Sequence, residues 1–269
     1  MLLELVQPEG EAPRFKKLDD LPAGLMYGMA VYTTFRLPLV ERWIGVHLDR
    51  LLENARQLGL LVSFSPEMLQ QSLLPHFQME MPVFRLTLVA DVEEYSDFYG
   101  KAPKPARLLL ATREAPGESP LPLTLKSVDY VRTMPLLKHL GMAEVINLKK
   151  DARMAGYQEI LLAGGGRVRE ASTANIFFIR DGALCSPDPQ RDECLPGITR
   201  QRLLKTAQAK GIPVQESGPI NLADLPDMQA AFLTNSVKGL ASVSRIDEIT
   251  FPWPESAREI AGILAESLN

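Results

Sequence analysis

Residues 159–178 read Glu159-Ile160-Leu161-Leu162-Ala163-Gly164-Gly165-Gly166-Arg167-Val168-Arg169-Glu170-Ala171-Ser172-Thr173-Ala174-Asn175-Ile176-Phe177-Phe178. A short apolar strand runs into a triple-glycine turn, a polar patch with one acid follows, and a second strand leaves it. After a loop comes Leu195-Pro196-Gly197-Ile198-Thr199-Arg200, a motif that opens a helix. An acid between strands, followed by Gly-Ile-Thr at a helix start, points to a small anionic ligand that carries a basic nitrogen elsewhere.

Working outward, Ile198 to Lys210 predicts a helix with Leu203, Leu204 and Ala207 inward and Gly211 as its stop. Ala230 to Leu233 predicts a strand that delivers Thr234-Asn235-Ser236, and Pro254-Glu255 opens a final amphipathic helix. Upstream, Met142 to Ala155 reads as a helix closed by Gly156. Lys149 and Lys150 fall inside it, as an ordinary solvated face would place them. Lys138 stands just before that helix among Leu136, Leu137 and Leu140, and apolar surroundings ease the loss of a lysine proton.

In the first half, Gly24 to Arg36 predicts a strand, with Gly28 marking a close approach at its start and Pro38 ending it. Thr33 and Thr34 lie on it and point to opposite faces. His47 to Leu60 predicts a helix with Arg50 at the edge of its apolar stripe, and Ser65-Pro66 predicts a capped helix start. Val83–Ala90 and Arg107–Ala111 read as strands, Pro8-Glu9-Gly10 as a turn, and Arg113–Pro122 as a linker. The length suits two domains, and the mixed strands and helices are of the α+β or α/β class.

The chain has 269 residues and a formal net charge of −4. That balance gives no case for nucleic acid. No apolar run approaches the roughly 20 residues that span a bilayer, and the N-terminus lacks a signal-peptide pattern. Cys185 and Cys194 give no disulfide framework, and His47, His76 and His139 are too dispersed to suggest a metal centre. The expectation is a cytoplasmic protein with a small-molecule substrate, and without metal, membrane or nucleic-acid partners.

His47-Leu48-Asp49-Arg50-Leu51, Lys138 before a helix, Gly164 to Ile179, Leu195 to Arg200 and Thr234 to Gly239 together resemble the pyridoxal-phosphate enzymes of fold type IV. That group holds branched-chain and D-amino-acid aminotransferases and aminodeoxychorismate lyase. The resemblance implies a smaller N-terminal α/β domain at 1–115, a larger C-terminal domain at 120–269 carrying the cofactor lysine, and a homodimer. It implies pyridoxal 5′-phosphate as cofactor. Lys138 would bind it covalently, and Glu170 would pair with its pyridine nitrogen. Arg50, Ser236 and the backbone N–H groups of Ile198 and Thr199 would take its phosphate, with Gly197 letting them approach.

Tyr32-Thr33-Thr34-Phe35 resembles the lyase more than the aminotransferases, which commonly carry an acid where Thr33 sits. Thr33 and Thr34 are therefore the expected substrate contacts. The tyrosine that many of the aminotransferases carry about five residues after the lysine is missing; Met142 and Ala143 stand there. The leading expectation is a 4-amino-4-deoxychorismate lyase releasing 4-aminobenzoate and pyruvate. A class IV aminotransferase is the alternative, and a non-catalytic protein on the same fold is a second one.

Overall fold

The computed structural model describes residues 2–6, 11–38, 41–77, 82–93, 95–99, 104–117, 122–215 and 218–268. The chain divides into two compact units, Met1–Pro116 with Leu137–Gly141, and Gly117–Leu136 with Met142–Asn269. Lys138 thus packs with the first unit, although its neighbours in sequence belong to the second. The expected turn at Pro8-Glu9-Gly10 and residues 118–121 of the expected linker lie outside the described residues.

The first unit is built on strands β1 (Leu2–Val6), β2 (Arg14–Lys17), β3 (Ala30–Arg36), β4 (Val83–Val89) and β5 (Arg107–Arg113). They pair antiparallel in the order β2-β1-β5-β4-β3. Helices α1 (Glu41–Gln57) and α2 (Pro66–Leu73) cover one face. Each strand alternates accordingly. Val31, Phe35, Phe84, Leu86, Leu88, Leu108 and Leu110 form a buried core with Leu48, Leu51, Leu52 and Ala55 of α1. Tyr32, Thr34, Arg36 and Arg85 emerge on the other face. The helix α1 starts a turn earlier than the sequence suggests, because Ile44 already joins the apolar stripe. The expected cap holds at α2, where Ser65 Oγ accepts from Met68 N–H at 3.2 Å.

The strand expected from Gly24 begins only at Ala30. Ala23–Leu25 forms a short 3-10 turn, and Gly28 takes a positive φ of 68° with open space around it. The close approach is made instead by Gly24, where a Cβ would collide with the carbonyl oxygen of Ala90.

The second unit holds β6 (Leu123–Val128), α3 (Ala143–Met154), β7 (Glu159–Leu162), β8 (Glu170–Ala171), β9 (Asn175–Arg180) and β10 (Ala183–Cys185). They are followed by α4 (Ile198–Ala209), β11 (Val214–Gln215), β12 (Ala230–Asn235), β13 (Gly239–Ile246), β14 (Ile249–Thr250) and α5 (Glu255–Glu266). Its nine strands run in the order β11-β10-β9-β12-β13-β6-β7-β8, with β14 beside β13. Parallel pairs join β6 to β7 and β13; most of the others are antiparallel. The central strand β9 is apolar on both faces because both are covered. Ile176 and Phe178 pack with Ala231, Leu233 and Val243. Phe177 and Ile179 pack with Phe232 and with Leu203, Ala207, Ala257 and Leu264 of α4 and α5. Among the described residues, no helix is long and apolar enough to cross a membrane, and no His, Cys, Asp or Glu cluster suits a metal ion. Both cysteines are free and buried.

Candidate active site

In the second unit the decisive stretch forms β7, the glycine turn, β8 and β9. Gly165 and Gly166 both take positive φ (63° and 77°), which only glycine adopts without strain. Gly165 N–H donates to Asp129 Oδ1 at 2.8 Å, fixing the turn. Its exit places Glu170 on β8, where the side chain is buried. Glu170 Oε1 accepts from Arg132 Nε at 2.7 Å, and Oε2 accepts from Leu195 N–H at 3.2 Å. Arg132 is itself buried and donates from Nη2 to the carbonyl of Pro135 at 2.6 Å. A carboxylate has about four lone-pair directions, so one donor on each oxygen orients it and leaves acceptor capacity.

The loop that supplies Leu195 is braced from below. Asp192, fully buried, accepts from Asp188 N–H at 2.7 Å and from Arg191 Nη2 at 3.2 Å. Arg169 Nη1 donates to the Asp192 carbonyl at 2.8 Å and to Glu193 Oε2 at 2.7 Å. Asn175 Nδ2 donates to the carbonyl of Leu195 at 2.8 Å. The Oδ1 of the same side chain occupies the space where a Cβ on Gly197 would stand. The sequence reading explains Gly197 by ligand approach; the structure adds that Asn175 needs the room.

Gly197 is the N-cap of α4, and no side chain caps that end. The first N–H groups of a helix have no intrahelical partner, so those of Ile198 and Thr199 point outward with the positive end of the helix dipole. Thr199 Oγ1 lies 2.9 Å from Ser236 Oγ. Asn235 Oδ1 accepts from Val237 and Lys238 N–H at 3.0 and 2.9 Å, shaping the turn that presents Ser236. Glu170, Gly197, Ile198, Thr199 and Ser236 are thus assembled within one unit.

In the first unit, Lys138 is held as an extra edge on the sheet. Tyr32 N–H donates to the Lys138 carbonyl at 2.9 Å, Leu140 N–H donates to the Ala30 carbonyl at 3.2 Å, and Val31 bridges His139. Lys138 N–H donates to Asn54 Oδ1 at 3.0 Å. The side chain is half-buried, and its Nζ lies 4.7 Å from the centroid of the Tyr32 ring.

Helix α1 carries His47, Arg50 and Asn54 at spacings of three and four, hence on one side. Thr33 reaches this stripe from β3. Its Oγ1 lies 2.7 Å from His47 Nδ1 and accepts from Arg50 Nη2 at 3.1 Å. Thr33 has no exposed surface, so its hydroxyl serves Arg50 rather than solvent. Thr34 faces the other way, beside Arg85. Burial lowers the Arg50 pKa to about 10, and Tyr32 offsets this in part. Its Nε is buried without a hydrogen-bond partner. A desolvated guanidinium with no carboxylate partner among the described residues is set up to take an anion.

Sequence reasoning missed Arg132, His47, Asn54, Asn175 and Tyr32. His47 and Asn54 had a signal, since both share a helix side with Arg50. Arg132 had none, because its contact with Glu170 spans 38 positions and no local pattern marks it.

The profile of the family described as Amino-transferase class IV matches residues 31–246. A branched-chain-amino-acid aminotransferase of Methanocaldococcus jannaschii, so named provisionally, is 27% identical over 241 residues, 86% of this chain and 83% of that protein. A D-alanine aminotransferase of Listeria monocytogenes is 26% identical over 244 residues, again 86% of this chain and 83% of the relative. The crystal structure of a Legionella pneumophila protein, provisionally named a 4-amino-4-deoxychorismate lyase, superposes with a TM-score of 0.76 at 25% identity. It covers 90% of this chain and 92% of that one.

Proposed function

The chain belongs to the class IV aminotransferase family, and on that premise we propose that it is a lyase cleaving 4-amino-4-deoxychorismate to 4-aminobenzoate and pyruvate. Pyridoxal 5′-phosphate is the cofactor of this family. Bound, it supplies an electron-withdrawing ring that stabilises negative charge on the carbon bearing the substrate's amine. The residues fit it. The uncapped start of α4 with the Thr199–Ser236 hydroxyl pair suits a phosphate, as does Arg50 with its partnerless Nε. Glu170 suits a protonated ring nitrogen.

In this reading Lys138 would hold the cofactor through its Nζ and would serve as the base for the proton on the carbon bearing the substrate's amine. Loss of that proton with cleavage of the carbon–oxygen bond to the enolpyruvyl group would leave an aromatic product, and Lys138 would return the proton to the departing pyruvate. Glu170 would hold the proton of the ring nitrogen, and Arg132 with Leu195 N–H keeps Glu170 aimed. Gly197 gives the α4 donors their approach.

The observation that carries the lyase reading is the start of α3. Met142 precedes it and Ala143 opens it, so no phenol stands where the resemblance expects one in an aminotransferase. The similarity to the Legionella protein points the same way. The names of the Methanocaldococcus and Listeria relatives favour the second reading, transfer of an amino group from a branched-chain or D-amino acid. The presence of both Lys138 and Glu170 speaks against a non-catalytic protein. A cytoplasmic homodimer completes the proposal.

Pyruvate and 4-aminobenzoate release from aminodeoxychorismate, with no amino acceptor present, is the expected result. Amino transfer to 2-oxoglutarate from L-leucine or D-alanine, without elimination, would replace this reading with the second.

A further inference from the structure

We infer that His47 is a positioning residue for the anion site at Arg50, acting through the hydroxyl of Thr33. The inference deepens the proposed function, since it rests on the reading of Arg50 as a phosphate ligand. Every observation behind it lies within the first unit. His47 and Arg50 are three residues apart on α1, so their side chains are neighbours on one side of the helix. Thr33 of β3 stands between them. Its Oγ1 lies 2.7 Å from His47 Nδ1 and 3.1 Å from Arg50 Nη2. Thr33 is fully buried, and His47 nearly so.

Hydrogen-bond accounting sets the direction of this chain of groups. A guanidinium only donates, so Oγ1 accepts from Arg50. The hydroxyl then has one proton of its own to place. Among the described residues, the acceptor it reaches is His47 Nδ1. The imidazole therefore accepts at Nδ1 and carries its proton on Nε2. The opposite tautomer would make Oγ1 accept twice and leave its buried proton without a partner, a penalty that the first arrangement avoids. Phe35 packs against the imidazole with ring centroids 5.1 Å apart, which limits its rotation.

The consequence falls on Arg50. A threonine hydroxyl by itself turns about its C–O bond. Tied to His47 Nδ1, it presents a lone pair to Nη2 in one direction. Thr33 is a neutral acceptor, so it orients the guanidinium without neutralising it, and the neutral imidazole behind it adds no like charge. Arg50 Nε stays without a hydrogen-bond partner. The cation is thus held in place and left uncompensated, and such preorganisation lowers the ordering cost of binding an anion.

The test uses the full chain without cofactor, titrated with inorganic phosphate and with pyridoxal 5′-phosphate. The variants are His47→Leu, His47→Asn, Thr33→Val and the His47→Leu/Thr33→Val pair. His47→Leu should weaken both ligands about threefold to tenfold, the loss of one buried hydrogen bond. Asn offers an acceptor oxygen at the branch position of Nδ1, so His47→Asn should recover most of that loss. In the Thr33→Val background His47→Leu should add nothing, because the link it breaks is already gone. Nitrogen NMR of the wild-type imidazole should show Nδ1 unprotonated and Nε2 protonated. An additive loss in the double variant, an Asn variant no better than Leu, or a proton on Nδ1 would each overturn the inference. If His47→Leu does not fold, the Asn variant and the imidazole spectrum decide. A wild type that binds phosphate and obeys the cycle but forms no lysine-bound cofactor absorbance is a different failure, that of the enzyme reading, and leaves His47 in its role.

Discussion

The two units gather their polar groups in opposite ways. The second draws Glu170, Leu195, Gly197, Ile198 and Thr199 from one run of sequence and adds Arg132 and Ser236. Its central carboxylate is oriented by a donor on each oxygen and keeps acceptor capacity. The first unit draws Thr33, Arg50, Asn54 and Lys138 from β3, α1 and a distant return of the chain. There two cations are underpaired among the described residues: Arg50 Nε is buried without a partner, and Arg85 lies over an aromatic ring without an ion pair. One unit thus holds an oriented acid in a satisfied network, which is rigid and costly to disturb. The other holds, in Arg50, a buried guanidinium nitrogen without a hydrogen-bond partner among the described residues, which carries an energetic penalty until an anion arrives.

The largest effect should come from disturbing the satisfied side. Glu170→Gln removes the charge while keeping the shape, and should lower kcat/KM by about a hundredfold or more. Steady-state kinetics at saturating cofactor measures this. An equal loss for an exposed acid such as Glu53→Gln would remove its significance.

On the underpaired side the sign for stability reverses. Arg50→Met removes a buried donor without a partner, a group that costs roughly 1–3 kcal/mol. The cofactor-free variant should therefore melt no lower than wild type, while its affinity for the cofactor falls about tenfold to a hundredfold. Calorimetry with and without cofactor separates the two. A cofactor-free variant that melts well below wild type would mean that Arg50 is a structural strut.

The same contrast governs what the sequence disclosed. The strand–glycine–acid–strand run and the Gly-Ile-Thr helix start are local, and local signals survive in a linear reading. The helix stops at Gly156 and Gly211 and the Ser65 cap were legible for that reason. The return of Leu137–Gly141 to the edge of β3 was not, because strand pairing across more than a hundred positions leaves no periodicity in either partner. Thr33 illustrates the cost. The resemblance makes it an expected substrate contact; strand alternation turns its hydroxyl inward to His47 and Arg50, which only the helix opposite reveals. Gly24 and Gly28 were confused for a related reason. Sequence marks a glycine, while the neighbour that needs its missing side chain is the remote Ala90.

Smaller effects sharpen the comparison further. Thr33→Val keeps the shape and deletes the acceptor of Arg50, so cofactor affinity should fall by about threefold to tenfold, measured by fluorescence titration. No change would detach Thr33 from anion binding. In the second unit, Asp247 takes Lys126 Nζ at 2.8 Å and Ser127 N–H at 3.1 Å. Burial pushes its pKa up, but these donors outweigh that and hold it below 3.8. A depressed carboxyl pKa stabilises the fold above the unfolded value and loses that contribution as pH falls through the folded one. Asp247→Asn should therefore destabilise the protein by about 1 kcal/mol at neutral pH, with the difference shrinking below pH 3.8 in urea titrations. A difference independent of pH would contradict the assignment.

The proposed function depends on Lys138 being the amine that carries the cofactor. Borohydride makes a lysine–cofactor linkage permanent, and peptide mass spectrometry then locates it. The expected result is a phosphopyridoxyl mass on the peptide containing Lys138, absent in Lys138→Ala. Label on Lys149 or Lys150, or no label after cofactor loading, would contradict the account.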